Sequence, residues 1–587
     1  MRLLQLFSIF VRVKRLKLIT VLLALCLSAA AQERNAALIF LQFKDLKFKY
    51  SYPEFDALAD SLTIYFNDQF HSNPVFSFTR GPVVTLDRAY AEYGANTSSY
   101  NDDHMYLAAI DACYAAADSL NFADFAGASG SEIRDVLILV PGKSELDTAD
   151  RNLFRPQYVE FESRNSYPRI GGRRLICYAL ASELDAGGNF TGIGNLAHEY
   201  SHTLGLQDYY DTDNEGSGGL YRPLWGQVCL MNKGNEKGGG HLPPNWCAPD
   251  YYSIGAGNGI QIDTAGTYSL EPISRSGTYF IFKGASEGEV FLAESRVAEG
   301  WDAGIGGSGM VIYHFDRSSG NALWSDWDGR NLTAVERWQR NRLNCNPAHL
   351  CVQLEAPDSA YAFFPFGDAD GFSSETEPPF RFWDGTDSPL AISGIRQAPD
   401  GTVSFKLSRP ISGLKVTPFQ NSVIIKWKCD PDISDIEKCL VRCVEGTDTL
   451  SVIEVAKGTG EDWTCLLEDL SPASAYKISV QIIRDGKPFF TGRISAATLS
   501  MRKGVFPFIY LKGVERNPDG SFRRGSKIPL QVFNVSDAAE IHWYFDGAPV
   551  SPSDGGYYTL QTSGALKAEV IRLDGSREII IKEIVIR

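Results

Sequence analysis

His198-Glu199-Tyr200-Ser201-His202-Thr203-Leu204-Gly205-Leu206-Gln207-Asp208 (HEYSHTLGLQD) is the stretch that decides how this 587-residue chain is read. His198 and His202 stand four apart, so on a helix both imidazoles project from one face and can hold one zinc ion together. Glu199 sits next to the first of them, where a carboxylate can take a proton from a water at the metal. Two protein ligands under-hold a catalytic zinc; three are usual. Gly205 can adopt positive φ and end the helix, after which the chain can turn back and present Asp208 to the same ion. Glu215, Glu236 and His241 are nearby donors that could replace Asp208. Two neutral histidines and one aspartate leave the ion less positive than three histidines would, so its water should be somewhat less acidic.

Around this motif the chain mixes strand and helix signals. Residues 36–43 (AALIFLQF), 136–140 (VLILV) and 175–179 read as strands. Residues 52–70 carry Phe55, Leu58, Leu62, Tyr65 and Phe66 at helical spacing, 105–120 is an Ala-rich helix, and a helix follows at about 195–204. From about residue 264 short strands alternate with Gly-rich turns: 268–270, 279–282, 290–292, 310–315 and finally 402–407. Ser408-Arg409-Pro410 reads as a linker. Residues 411–500 read as a small β-sandwich, with Trp427 in the alternating run 423–429. Leu470, Pro472 and Tyr476 have the spacing of a tyrosine corner. This segment resembles a fibronectin type III domain. Residues 505–587 alternate as a second all-β unit, with strands at 528–532, 540–545, 557–561 and 566–572, and an immunoglobulin-like sandwich is expected there.

The first 31 residues read as a cleaved secretory signal: Arg12, Lys14, Arg15 and Lys17, then an apolar run over 18–28, then Ala29-Ala30-Ala31. The run is too short to span a membrane. The expected organisation is therefore a signal peptide (1–31), a catalytic core (32–263), a β-rich continuation (264–408) and two accessory sandwiches (411–500 and 505–587). The expected place of work is outside the cytoplasm: released, periplasmic or at the cell surface. The net charge of −15, from 56 Lys+Arg and 71 Asp+Glu, argues against a nucleic-acid partner. With 44% hydrophobic residues the chain can fill several cores and is not a disordered protein.

On the HExxHxxGxxD motif the chain resembles the immune inhibitor A family of secreted zinc peptidases, which look like metzincins with aspartate as the last motif residue. The resemblance covers about residues 36–408. Leu230-Met231-Asn232, following Trp225-Gly226, is similar to the family's methionine turn, which implies that Met231 forms an apolar floor beneath the metal. The segments 243–255, 291–296, 300–302, 309–314 and 383–385 are similar to the family's later parts. The resemblance implies an α/β (α+β) metzincin-like domain with a β-rich C-terminal half, Zn2+ as cofactor, and protein or peptide substrates cleaved by activated water with Glu199 as base. The rival function is that of a surface adhesin or binding protein with a structural or inactive zinc site.

Smaller expectations complete the reading. Tyr209, Tyr210, Tyr252 and His241 are candidates to stabilise an oxyanion. Asp211, Asp213, Asn214 and Glu215, and separately Asp368 and Asp370, form acidic stretches that could bind Ca2+, although each reads first as a solvated loop. Asp102-Asp103-His104 reads chiefly as a polar loop. Without Cys26 the cysteines are even in number, which in an exported chain favours disulfides, with Cys345–Cys351 and Cys229–Cys247 as plausible local pairs.

Overall fold

The computed structural model describes residues 33–587 apart from 72, 98–101, 103, 128–129, 162–166, 214–227, 285, 321–323, 327–328, 434, 457–461, 500–506, 512–513, 519 and 554. The expected signal segment, Asn214, Glu215 and Trp225-Gly226 lie outside the described residues. The chain is β-rich, 43% strand and 15% helix, and divides into two compact units.

The first unit is built on a five-stranded sheet. Strand β1 (Glu33–Phe43) lies between β2 (Val75–Leu86) and β3 (Val136–Lys143), and the sheet continues to β5 (Cys177–Leu184) and ends at β4 (Gln157–Glu160). All pairs are parallel except β4–β5. Strand alternation sorts the side chains cleanly. Ala36, Leu38 and Phe40 of β1, Leu137 and Leu139 of β3, and Ala179 and Ala181 of β5 enter one core. Ala37, Ile39, Leu41, Val136, Ile138, Val140, Tyr178 and Leu180 enter the other. Helix α1 (Tyr52–Gln69) covers the first face with Phe55, Leu58, Leu62 and Phe66. Helix α2 (Met105–Ala116) covers the second, and ends four residues short of the expected stretch. The sequence reading missed β2, because VFSFTRGPVVTL has no sustained alternation. Gly81 and Pro82 stand opposite the single residue Ile39 as a bulge, where a Cβ on Gly81 would lie 2.9 Å from the Leu38 carbonyl. Proline is tolerated there because β2 is an edge strand.

A second five-stranded sheet runs 352–355, 309–316, 289–296, 278–283, 258–261. Its Val290, Leu292, Val311, Tyr313 and Val352 join the same core as α1 and the first sheet, so residues on either side of position 263 share one interior.

The second unit contains a seven-stranded sandwich of the fibronectin type III kind. One sheet is Ile411–Pro418, Val423–Cys429 and Asp462–Leu467; the other is Asp448–Ala456, Ile436–Glu445, Ala475–Arg484 and Lys487–Ala497. Trp427 is buried, stacked on Trp463 at 6.0 Å. The tyrosine corner is present: Ser471 N–H donates to the Tyr476 hydroxyl at 2.8 Å. The C-terminal part is a four-stranded antiparallel sheet, ordered 548–550, 538–545, 564–572, 577–584, with two short two-stranded ladders. The expected strand 528–532 is divided between those ladders. Lys527–Pro529 pairs with Tyr557–Thr559 and Val532–Phe533 with Phe508–Ile509, because Leu530 N–H turns to the Gly556 carbonyl at 3.1 Å.

The expected disulfides are not formed in this structure. All ten cysteines of the described residues are free thiols; the Cys229 and Cys247 sulfurs are 3.8 Å apart, well beyond the roughly 2.05 Å of an S–S bond.

Candidate metal centre

Helix α3 (Gly194–Thr203) follows β5 and carries the motif. It begins in close quarters. A Cβ on Gly194 would sit 1.9 Å from the Asn235 carbonyl, so only glycine lets the 234–240 segment approach the helix start. The face with Leu196, Ala197 and Tyr200 is wholly buried in the first core, and Tyr200 donates to Asp135 at 2.7 Å. This fixes the rotation of the helix and leaves His198, Glu199 and His202 directed to the other side. The helix ends at Leu204, and Gly205 takes φ +103, the left-handed region the reversal requires. Asp208 then returns to the histidines.

His198, His202 and Asp208 converge: their ligand atoms lie within 4.8 Å of one another. Asp208 Oδ1 is 2.9 Å from His198 Nε2 and 3.4 Å from His202 Nε2. Ligands at 2.0–2.2 Å around a tetrahedral zinc would stand roughly 3.3–3.6 Å from each other. The protonation pattern points the same way. His198 Nδ1 faces the Leu230 carbonyl at 2.9 Å and His202 Nδ1 faces the Leu206 carbonyl at 2.9 Å, so in each neutral ring Nδ1 carries the hydrogen and Nε2 a lone pair. Asp208 Oδ1 is buried and faces both imidazole Nε2 atoms. The Nε2 atoms of buried His198 and half-buried His202 and one buried carboxylate oxygen thus meet at one point, an arrangement that suits a cation between them. The donor set, two imidazoles and a carboxylate, fits zinc.

The electrostatics agree. Burial opposes charge on His198, but the adjoining Asp208 and Glu199 carboxylates outweigh it and lift the ring to about 9. Burial likewise opposes charge on Asp208, yet His202 and His198 hold its carboxyl well below the usual carboxylate range. The pocket therefore stabilises positive charge at the trio. Glu199 is 8% exposed, and burial raises its carboxyl while His198 and His202 pull it down. A backbone hydrogen bond from Tyr158 on β4 supports it.

The loop that carries Asp208 is held from far downstream. Asn341 Nδ2 donates to Asp208 Oδ2 at 2.6 Å, and Asp208 N–H donates to Asn341 Oδ1 at 2.8 Å. Asn341 has φ +53, which asparagine tolerates better than most residues. Asn344 Nδ2 donates to the Tyr209 carbonyl at 3.0 Å and Tyr209 N–H to the Met231 carbonyl at 2.9 Å. Neither asparagine was singled out from the sequence, because no local pattern joins positions 133 residues apart. Met231 is fully buried in the core that contains Ala197 and Tyr200.

The structure separates the remaining candidates. Tyr210 stacks on His198 with ring centroids 6.3 Å apart, and its hydroxyl lies within reach of Asp208. Tyr209 is buried with its hydroxyl toward Asp250, Tyr252 packs on Phe315, and His241 is exposed beside the Phe190 carbonyl. Glu236 is on the surface near Lys233. Asp211 and Asp213 come together with Cys345 rather than with the trio. Cys229, Cys247 and Asp250 also cluster, but burial raises both thiols and keeps them protonated. Asp102 accepts from Arg155 N–H at 3.2 Å and Gln157 Nε2 at 3.0 Å, so it braces the start of β4. Asp368 and Asp370 are exposed in a turn.

Arg296 anchors the segment before Met231 to the second sheet. It is fully buried, bonds Asp302 Oδ2 at 2.9 Å and Glu294 Oε1 at 3.1 Å, and donates to the Val228 carbonyl at 3.1 Å.

No protein-family model and no curated protein matches this chain. Among solved structures, the fn3 domain of human contactin 1 is similar at 16% identity, covering 19% of this chain and 89% of that one with a TM-score of 0.15. The fn3 domain of the human collagen alpha-1(XX) chain is similar at 22% identity, covering 16% and 90% with a TM-score of 0.14. A redesigned β-sandwich protein is similar at 18% identity, covering 16% and 99% with a TM-score of 0.15. These likenesses span less than a fifth of the chain, and none carries a bearing on the metal centre. No described helix is long and apolar enough to cross a membrane.

Proposed function

We propose that this protein is an exported zinc-dependent endopeptidase of the immune inhibitor A kind, with a metzincin-like catalytic domain. The observation that carries the reading is the meeting of ligand atoms from buried His198, half-buried His202 and buried Asp208 beside the buried carboxylate of Glu199. Zinc held there would supply Lewis acidity, polarising a peptide carbonyl and making a water acidic near neutral pH.

The chain's own residues do the rest. Glu199, raised by burial but held ionisable by the flanking imidazoles, accepts the water's proton and later delivers it to the leaving amine. The Leu230 and Leu206 carbonyls fix the tautomer of each histidine. Tyr210, stacked on His198, would donate its hydroxyl to the developing oxyanion. Strand β4 is the end strand of its sheet and carries Tyr158 beside Glu199 and His202; among the described residues no strand pairs with its outer edge, where an extended peptide would lie.

The test is casein hydrolysis by the purified protein beside Glu199→Ala at matched zinc content. Loss of activity in the variant supports the reading. Equal activity in both places the chemistry elsewhere. Stoichiometric zinc without cleavage of casein or a peptide library points to a binding protein instead.

A further inference from the structure

The strand Arg577–Ile584 forms one end of the C-terminal four-stranded sheet. One edge pairs without a break to Gly564–Arg572, from Ile571 opposite Arg577 to Gly564 opposite Ile584. Among the described residues no strand pairs with its other edge over 577–584; beyond it, Phe522 bridges Ile586 on that side, its N–H donating to the Val585 carbonyl at 2.8 Å. On its outward face Ile579 is 57% and Ile581 60% exposed, while Ile580 packs against the domain's core. An unbroken edge with exposed branched side chains is what solitary sheets avoid, usually with a proline, a bulge or an inward charge. No proline or bulge interrupts residues 577–583, while Glu578 and Lys582 stand on the same face as Ile580 and Ile584.

The sequence of this edge, Arg577-Glu578-Ile579-Ile580-Ile581-Lys582-Glu583, is complementary to itself when reversed. In an antiparallel pairing centred on Ile580, Arg577 faces Glu583 of a second copy, Glu578 faces Lys582, Ile579 faces Ile581, and Ile580 faces itself. Each facing pair lies on one side of the sheet, since strand side chains alternate. Sliding the register by two residues destroys the match. One direction sets Ile579 against Glu583 and Ile580 against Lys582; the other sets Arg577 against Ile581 and Glu578 against Ile580. Within the chain, Arg577 approaches Glu569 at 3.4 Å and Glu578 pairs with Arg572. Lys582 and Glu583 have no ion-pair partner among the described residues.

We infer that a second copy of this chain docks on this edge, joining two four-stranded sheets into one eight-stranded sheet about a two-fold axis. Such a contact is isologous, so it closes at two chains and does not propagate. A seven-residue ladder is smaller than a standard stable interface, so the dimer is reversible and governed by concentration. Its ion pairs are exposed, so salt weakens it.

The experiment is sedimentation velocity on the full chain at low ionic strength, from about 1 to about 100 μM. The 64.7 kDa chain should pass from monomer to dimer across this range. Arg577→Glu sets carboxylate against carboxylate at both Arg577–Glu583 contacts of a dimer, and Glu583→Arg sets guanidinium against guanidinium. Each variant alone should stay monomeric at about 100 μM, and an equimolar mixture should recover the dimer, because every such contact is then of opposite charge. Recovery on mixing also shows that both variants are folded. Wild-type protein that stays monomeric at about 100 μM overturns the inference, whether or not another protein's strand uses the edge. Variants that dimerise as well as wild type also overturn it, since the contact then lies elsewhere.

Discussion

Asn341→Gly tests whether the third ligand depends on its distant clamp. The substitution keeps the left-handed backbone of position 341 available, at φ +53, while removing the amide. Two hydrogen bonds disappear: the 2.6 Å bond from Asn341 Nδ2 to Asp208 Oδ2 and the 2.8 Å bond from Asp208 N–H to Asn341 Oδ1. The first is charge-assisted, worth about 1.5–3 kcal/mol, and the second about 1 kcal/mol. Part of this is recovered as water enters or the loop relaxes. The net loss should resemble other deletions of groups that orient a metal ligand, about 10–100-fold in metal affinity. Zinc affinity measured by competition with a chromogenic chelator should fall by that factor, with little change in the far-ultraviolet circular dichroism. Asn341→Ala should lose more, because a Cβ at positive φ adds roughly 1–2 kcal/mol of strain. An Asn341→Gly protein that binds zinc within twofold of wild type would refute the view that Asn341 positions Asp208.

Three further expectations concern the same unit. Tyr210→Phe should lower kcat about 10²–10³-fold at unchanged zinc content, if its hydroxyl stabilises the oxyanion as proposed; a change confined to KM would remove it from that role. Arg296→Ala leaves Asp302 and Glu294 buried without their shared partner and should destabilise the unit by about 3–5 kcal/mol, read from denaturant unfolding followed by tryptophan fluorescence. Asp102 is raised by burial to about 6, above its unfolded value near 4, so the folded state holds the extra proton between those values and stability falls as pH rises from about 4 to about 6. Asp102→Asn, which also suits φ +47 at that position, should flatten the unfolding midpoint across this window.

What could be read from the sequence and what could not divide by distance along the chain. His198, Glu199 and His202 share one helix face, and Gly205 and Asp208 follow within six residues, so their geometry is set by the local backbone and is visible as spacing. The strands at 36–43 and 136–140 were visible because both faces of the sheet are covered and the apolar runs are continuous. Strand Val75–Leu86 was hidden by its bulge, and the break at Leu530 by a run that alternates well on paper. The strand Arg577–Ile584 was also passed over, since its isoleucines face both core and solvent. Asn341, Asn344 and Arg296 were invisible as parts of the site, because their importance lies in partners 68 to 135 residues away, and nothing in their own neighbourhood marks it. The cysteine count suggested disulfides, but parity gives no distance.

The clamp on Asp208 also sets a timetable. Chains leave the ribosome, and cross membranes, from the N-terminal end. His198, Glu199 and His202 therefore emerge well before the segment containing Asn341 and Asn344, which is itself held by pairing with Val352. Until that segment docks, Asp208 lacks both hydrogen bonds to Asn341, and the proposed ligand set is incomplete. A chain that is only partly out, or partly folded, carries Glu199, His198 and His202 without Asp208 held beside them by Asn341. On the proposed function, competence would arrive late, with the closure of contacts 133 and 135 residues apart, and the chain would be spared its own chemistry while its peptide bonds are still exposed.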